Sequence, residues 1–301
     1  MNLPQTDLSL DHLLSAVPPR LQQIWTPYLD EIPAPELKSA LQYVLSNGGK
    51  RLRPLLVYAV ASLKKAHWEA ADMAAAAVEM LHTYSLVHDD LPCMDDASIR
   101  RGKPSCHQAY GEGLAVLAGD ALQTLAFHVI AHHSASISTD RRLQMLQRLT
   151  YAAGGYGMAA GQALDMTLLS DHTLPIDLLL MTYRLKTGAL FTSAIELGWL
   201  ASADSDEMNL QALRTFGNGI GLAFQIQDDI FDIENPESET GKPQHADHAN
   251  DKITFPKRFG IATAKEKVEE LHDQALTAIN YFGSRAQLLR EISHFILRRN
   301  Y

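Results

Sequence analysis

Two aspartate clusters, far apart in the chain, constrain the fold more than any other feature. Asp89, Asp90, Asp95 and Asp96 lie in the run from Val87 to Asp96, and Asp228, Asp229 and Asp232 lie in the run from Gln225 to Asp232. Each run closes an apolar stretch of helical period. Carboxylates buried together repel one another and lose solvation unless a cation neutralises them. A fold carrying both clusters must expose them as solvated helix ends or bring them to one polar cavity. Mg²⁺ takes oxygen ligands, holds few carboxylates, and fills its other positions with water and phosphate oxygens. Two clusters facing one cavity therefore read as a clamp for a magnesium-diphosphate.

Apolar residues recur at helical spacing almost throughout. Leu37, Leu41, Val44 and Leu45 make one stripe; Met73, Ala76, Ala77, Met80, Leu81 and Tyr84 make another that leads into Asp89. Leu178, Met181, Leu185, Ala189, Thr192 and Ile195 continue the pattern. Alternating strand patterns are scarce. Breaks are expected at Pro18-Pro19, Pro33 to Pro35, Asn47-Gly48-Gly49, Pro104, Asn235-Pro236 and Gly241-Lys242-Pro243. The pattern predicts an all-α chain, a single helical bundle of about ten helices. No compositional shift marks a boundary, so residues 1–301 read as one domain. The long irregular segment 234–251 is expected to act as a lid.

Composition narrows the function. A chain of 301 residues, 46% hydrophobic, can bury a sizeable core. A net charge of −9 argues against a nucleic-acid or anionic-membrane surface. The only cysteines are Cys93 and Cys106, and the polar stretch from Met1 to Asp11 lacks the regions of an export signal. A cytoplasmic location is expected. The longest charge-free stretch, 121–139, holds His128, His132 and His133 and is too polar for stable membrane insertion.

Spacing refines the site. Asp228 and Asp232, four apart, stack on one helix face about 6 Å from each other, with Gln225 one turn earlier. Asp89 and Asp95 are six apart, and Pro92 between them should unwind the helix and let Asp95 swing back. Cations gather around these acids. Gly48-Gly49-Lys50-Arg51-Leu52-Arg53-Pro54 enters a helix through a Gly-rich loop, a setting that attracts anions. Arg100-Arg101-Gly102-Lys103-Pro104 follows the first cluster, Lys186-Thr187-Gly188 interrupts an apolar helix, and Lys242 and Lys252 bracket the long segment. Singly each is an ordinary surface charge. Together, in an acidic chain, they point to phosphate oxygens shared between metals and side chains.

These motifs, with Gly221-Leu222-Ala223-Phe224-Gln225 to Asp232, occur in the order found in the trans-isoprenyl diphosphate synthases, which the chain resembles between about Gly48 and Phe259. The likeness is strongest to bacterial-type farnesyl diphosphate synthases. It implies an all-helical fold around a deep central cavity, and a homodimer. It implies three Mg²⁺ ions, two held by Asp89 and Asp95 and one by Asp228, with Asp90, Asp229 and Asp232 in support. Lys50, Arg53, His82 and Arg101 would bind isopentenyl diphosphate. Arg100, Lys186, Thr187, Gln225 and Lys242 would bind the allylic diphosphate, with Lys252 assisting. Gly161-Gln162 and Asp165 also resemble a family motif, behind the ligands. Tyr84, five residues before Asp89 and about 7.5 Å back along a helix, would with Ser85 set product length. A large ring there, and Pro92-Cys93 as an inserted pair, imply a fifteen-carbon product rather than ten or twenty.

The chain departs from that pattern in places. Ala97 and Ser98 replace further acids, and Tyr183-Arg184-Leu185 replaces a His-containing lead into Lys186, a change expected to concern packing. Gly155-Tyr156-Gly157-Met158-Ala159-Ala160 imitates a dinucleotide fingerprint, but no strand precedes it, and close helix packing is expected. The same holds for Gly217, Gly219 and Gly221. His132-His133 and the group His245, Asp247, His248 lack a convincing set of metal partners. A terpene cyclase would need a glutamate where Arg258 stands. A metal-dependent phosphohydrolase built on His88-Asp89 would need more histidines, and a non-catalytic partner subunit would not need both clusters intact.

Overall fold

The computed structural model describes residues 8–133, 135, 137–168, 174–202, 206–234 and 253–298. The chain is all-α, as its periodicity predicts. Helix α1 (Leu10–Asp30) starts at Ser9, whose hydroxyl accepts from the His12 amide at 3.2 Å. The break expected at Pro18-Pro19 is absent: α1 runs through both prolines. Leu13, Val17, Leu21, Ile24, Trp25 and Leu29 are buried along one face on either side of them. That continuous apolar stripe outweighs the backbone hydrogen bonds that proline removes. Helices α2 (Pro35–Ser46) and α3 (Leu52–Ala61) follow, and α3 is buried along its whole length.

Helix α4 (Trp68–Asp89) is the axis of the molecule. Its run Ala74 to Ala77 is fully buried, and these small side chains admit neighbours on every side. It packs against α1, α2, α3, α6 (Glu112–His132), α7 (Thr139–Ala153) and α10 (Ala189–Leu200). Asp72 on α4 is buried, yet satisfied: Arg20 donates to it at 2.7 Å and Tyr58 at 2.8 Å. Between α4 and α6 lie a small hairpin, Ile99–Arg100 with Lys103–Pro104, and the short α5 (Cys106–Tyr110). Helix α6 is long and apolar enough to cross a membrane by length and composition alone, although 39% of its most apolar window is buried against the protein.

Helices α8 (Met158–Leu168) and α9 (Ile176–Tyr183) lead into a π turn, Arg184–Gly188, and then α10. The 28-residue α11 (Glu207–Glu234) carries the second aspartate cluster at its C-terminal end. Helices α12 (Phe255–Phe259), α13 (Ile261–Ala278) and α14 (Gln287–Arg298) close the fold. A second, smaller apolar cluster, including Leu179, Tyr183, Leu222, Ile226 and Phe255, lies under α9, α11 and α13.

Glycines let backbone reach backbone at the π turn. A Cβ on Gly161 of α8 would lie 2.1 Å from the Lys186 nitrogen, and one on Gly221 of α11 would lie 2.9 Å from the Gly188 Cα. Gly217 and Gly219 meet neighbouring helices equally closely, as expected. Gly157, in the turn between α7 and α8, crowds the Ala152 carbonyl of the preceding turn, whereas a Cβ on Gly155 would meet nothing within 4 Å, so the close helix packing expected of this run is confined to a local contact at Gly157. Gly161→Ala should push α8 off the π turn and cost about 1–3 kcal/mol. Denaturant unfolding should show a lower midpoint with an unchanged slope.

Candidate active site

One cavity of about 680 Å³ is walled by the end of α4, the loop after it, the Gly49 to Arg53 turn, α8, the π turn and α11. Its lining draws on both apolar clusters. Asp89, Asp95, Asp228, Asp229 and Asp232 all face it, so the two acidic runs do converge.

The first cluster is shaped by the unwinding at Pro92. After α4 ends, the Met94 amide donates to Leu91 at 2.8 Å, and the Asp95 amide donates to the Asp89 carbonyl at 2.8 Å. Asp96 takes a left-handed φ of 48° to complete the reversal. Asp95 thus swings back beside Asp89. Burial pushes the Asp89 carboxyl up to about 6, and the charge on Asp95 pushes the same way, while Lys186 and Arg100 pull it down. Asp90 turns away from the cavity. It is buried and forms an ion pair with Arg100, whose Nε lies 3.1 Å from Asp90 Oδ1. Its position is behind a cation and away from the carboxyl groups of Asp89 and Asp95. Ala97 and Ser98 sit in the backbone reversal, with the Ala97 amide on the Asp90 carbonyl at 3.2 Å.

The cations line the opposite walls. Lys50, Arg53, Arg100, Arg101 and Lys186 all reach the cavity. Gly48, Gly49 and Arg51 have positive φ, which curls the loop tightly before α3. The buried Arg51 guanidinium holds that curl, donating to Glu79 at 2.6 Å and to the Leu45 carbonyl at 2.5 Å. Arg101 packs on Gly49 and donates to the Gly48 carbonyl at 2.7 Å. Arg53 lies over the Phe191 ring at 4.7 Å. Burial, then the charges of Arg53, Arg101, Arg51 and Arg100, hold His82 well below its ordinary pKa, so its ring is neutral. Lys186 donates to Asp165 at 2.7 Å.

A hydrogen-bonded chain runs along the α11 side. Thr187 donates to Gln225 Oε1 at 2.6 Å, and Gln225 Nε2 donates to Asp229 Oδ1 at 3.0 Å. The buried Tyr183 hydroxyl donates to Asp229 Oδ2 and accepts from the Phe255 amide at 3.0 Å. Thr254, next to Phe255, turns a buried hydroxyl without a protein partner toward the cavity. Tyr84 and Ser85 also line the cavity; the Tyr84 ring meets His88 edge-on at 5.7 Å, and Ser85 donates to the His82 carbonyl at 2.9 Å.

Several expected residues fall elsewhere. Lys242, Lys252, most of the expected lid, the His245 group and Asn250 and Asp251 lie outside the described residues. His132 stacks on His128 at 4.1 Å, and His133 meets the Tyr28 hydroxyl at 3.1 Å, both remote from the cavity lining. Arg258 donates to the Leu174 carbonyl. Spacing did not disclose Glu79, or the role of Tyr183, which was expected only to pack. The available signal was a charge inside an apolar run: Glu79 interrupts the stretch from Ala74 to Leu81.

The donor set fits magnesium. Its ligand atoms are hard carboxylate oxygens. Among the described residues, no three side chains of metal-binding type converge to hold an ion unaided. An ion there would take one or two carboxylates and complete its shell with water and phosphate oxygens, as Mg²⁺ does.

The model of the polyprenyl synthetase family matches residues 34–286. The chain is 43% identical to the farnesyl diphosphate synthase of Haemophilus influenzae over 265 residues, covering 87% of this chain and 88% of that one. It matches a geranyltransferase structure from Legionella pneumophila with a TM-score of 0.85 and 35% identity, covering 96% of this chain and 97% of the other. A geranyltransferase from Helicobacter pylori, complexed with magnesium and isoprenyl diphosphate, matches with a TM-score of 0.80 and 31% identity, covering 97% and 98%.

Asp89 gives the site a pH signature. Its folded-state pKa of about 6 lies above the ordinary 3.8. Between those values the native state keeps a proton that the unfolded state has lost, so metal-free stability falls as pH rises from about 4 to 6 and then levels off. Asp89→Asn should therefore raise the Tm of the metal-free protein at pH 8, with the gain shrinking below pH 6. Thermal unfolding in a chelator across that range checks it.

Proposed function

The chain belongs to the polyprenyl synthetase family, and from that premise we propose that it condenses isopentenyl diphosphate with dimethylallyl and geranyl diphosphates to make farnesyl diphosphate. It is a prenyltransferase. The observation that carries the finer reading is the meeting of two carboxylate clusters and six lysine and arginine side chains across a single cavity.

The residues divide by wall. Asp89 and Asp95 would hold two magnesium ions and Asp228 a third, with Asp232 stacked one turn beyond Asp228. Lys50, Arg53 and Arg101 bind the diphosphate of isopentenyl diphosphate, with neutral His82 as a hydrogen-bonding neighbour. Arg100, Lys186, Thr187 and Gln225 bind the allylic diphosphate. Magnesium bound there would neutralise the charge that builds on the departing pyrophosphate.

The cations add to that effect, because fixed positive groups in a partly dry cavity stabilise developing negative charge without reorganising. The allylic C–O bond breaks and leaves a carbocation. The double bond of the neighbouring isopentenyl diphosphate, held in place by Lys50 and Arg53, attacks it and forms the new C–C bond. The pyrophosphate takes the proton released to make the product double bond, so no protein base is required. Below the reacting carbons Tyr84 closes the floor, and its ring limits the tail to fifteen carbons.

Two finer readings rest chiefly on the family likeness. A homodimer agrees with Val116 and Leu117 of α6, which leave 40% and 55% of their surface exposed. A cytoplasmic location agrees with both cysteines being free thiols.

Radiolabelled isopentenyl diphosphate, offered with each allylic primer and followed by chromatography of the dephosphorylated alcohols, should give farnesol. Absence of any prenyl product would refute the proposal. Tyr84→Ala should shift the products toward twenty carbons and beyond. Asp95→Asn and Asp228→Asn should each lower kcat by about 100-fold or more, with the far-ultraviolet spectrum unchanged.

A further inference from the structure

Tyr183 lies three residues before Lys186, in α9, where the helix gives way to the π turn. Its hydroxyl joins two separate pieces of the cavity wall. It donates to Asp229 on α11 and accepts from the Phe255 amide at the start of α12 at 3.0 Å. Tyr183, Asp229, Thr187 and Phe255 are all buried, so these bonds form away from competing water. Burial comes first, and then the Asp229 carboxylate, in holding the Tyr183 phenol well above its ordinary pKa; the hydroxyl keeps its proton.

The direction of the bonds matters. A carboxylate only accepts, so Asp229 must meet donors. It receives the Tyr183 proton on one oxygen and the Gln225 Nε2 proton on the other. The Gln225 amide is thereby turned with its nitrogen toward Asp229 and its oxygen toward the Thr187 hydroxyl, 2.6 Å away. An amide nitrogen carries two protons. With one given to Asp229, the other remains for a ligand oxygen in the cavity that Gln225 lines.

We propose that Tyr183 is a positioning residue: through Asp229 it fixes the donor face of Gln225 toward the diphosphate of the allylic substrate. The inference rests on the function proposed above for the substrate's identity, but the tether itself is a property of the free protein. Tyr183 does not touch the reacting carbons. Asp229 acts in this scheme as an acceptor hub, and Asp228 and Asp232 remain as the metal-facing pair of α11.

Tyr183→Phe removes one oxygen and keeps the ring. Hydrogen exchange comes first, on the metal-free protein. In the wild type the Phe255 amide should be strongly protected, and in Tyr183→Phe its protection should fall by about tenfold or more. Calorimetry with Mg²⁺ and inorganic pyrophosphate should show binding weakened by a similar factor. In steady state the KM for geranyl diphosphate should rise about tenfold, while that for isopentenyl diphosphate stays within about twofold. Combined with Gln225→Ala, Tyr183→Phe should add almost nothing. Tyr183→His, which keeps a ring donor, should recover most of the allylic affinity.

An unprotected Phe255 amide in the wild type overturns the proposal whatever the variants do. So does a Tyr183→Phe protein whose two KM values rise together or do not move. If Tyr183→Phe does not fold, Tyr183→His decides: allylic KM near the wild-type value supports the tether, and a selective tenfold loss refutes it. If the wild-type protein condenses no primer, the functional reading fails, while exchange and pyrophosphate binding still judge the tether.

Discussion

Charge can be kept inside this apolar bundle only where an opposite charge or a directed hydrogen bond meets it, and the site is organised by that constraint. The arginines and the two lysines around the cavity would repel one another if they were unsupported. Paired acids support several of them: Asp90 lies behind Arg100, and Glu79 and Asp165, at the cavity wall, pair with Arg51 and Lys186. Removing one partner of such a buried pair leaves a charge that nothing solvates, commonly a loss of about 3–5 kcal/mol. The pairs therefore hold side chains at fixed points as much as they stabilise the fold. The acids on the front wall face the opposite problem. Asp89 shares its wall with Asp95 and is partly desolvated, which is why its proton is held to about pH 6.

Backbone geometry places these groups. The π turn at Arg184–Gly188 interrupts a long helical rod at the point where Lys186 and Thr187 must face the cavity. Gly161 and Gly221 allow α8 and α11 to close on that turn. As a result Asp165 reaches Lys186, and Gln225 reaches Thr187. On the other side, positive φ at Gly48, Gly49 and Arg51 curls the chain so that Arg51 pairs with Glu79 and Lys50, Arg51 and Arg53 all border the cavity. Within this short basic run Arg51 holds the curl through Glu79 and the Leu45 carbonyl.

The fold was largely legible because helical period is a local property. Buried stripes reported helices even where proline argued against one, as in α1, and the tertiary packing of that stripe settled the conflict at Pro18-Pro19. The site was legible where its motifs are local: Asp89 with Asp95 across Pro92, and Asp228 with Asp232 one helical turn apart. It was not legible where partners are distant in sequence. Asp90 sits in the same run as Asp89, and only packing shows that it turns the other way. Tyr183 looks like an ordinary core residue until its hydroxyl is seen between Asp229, 46 residues later, and Phe255, 72 residues later.

Sequence alone thus determined the helical class and the two acidic runs, because spacing and propensity act over a few residues. Tertiary structure decided which carboxylates face the cavity and which stand behind the cations, and which way the Gln225 amide points. Those outcomes depend on burial and on hydrogen bonds between helices far apart along the chain, and neither quantity exists until the helices have packed.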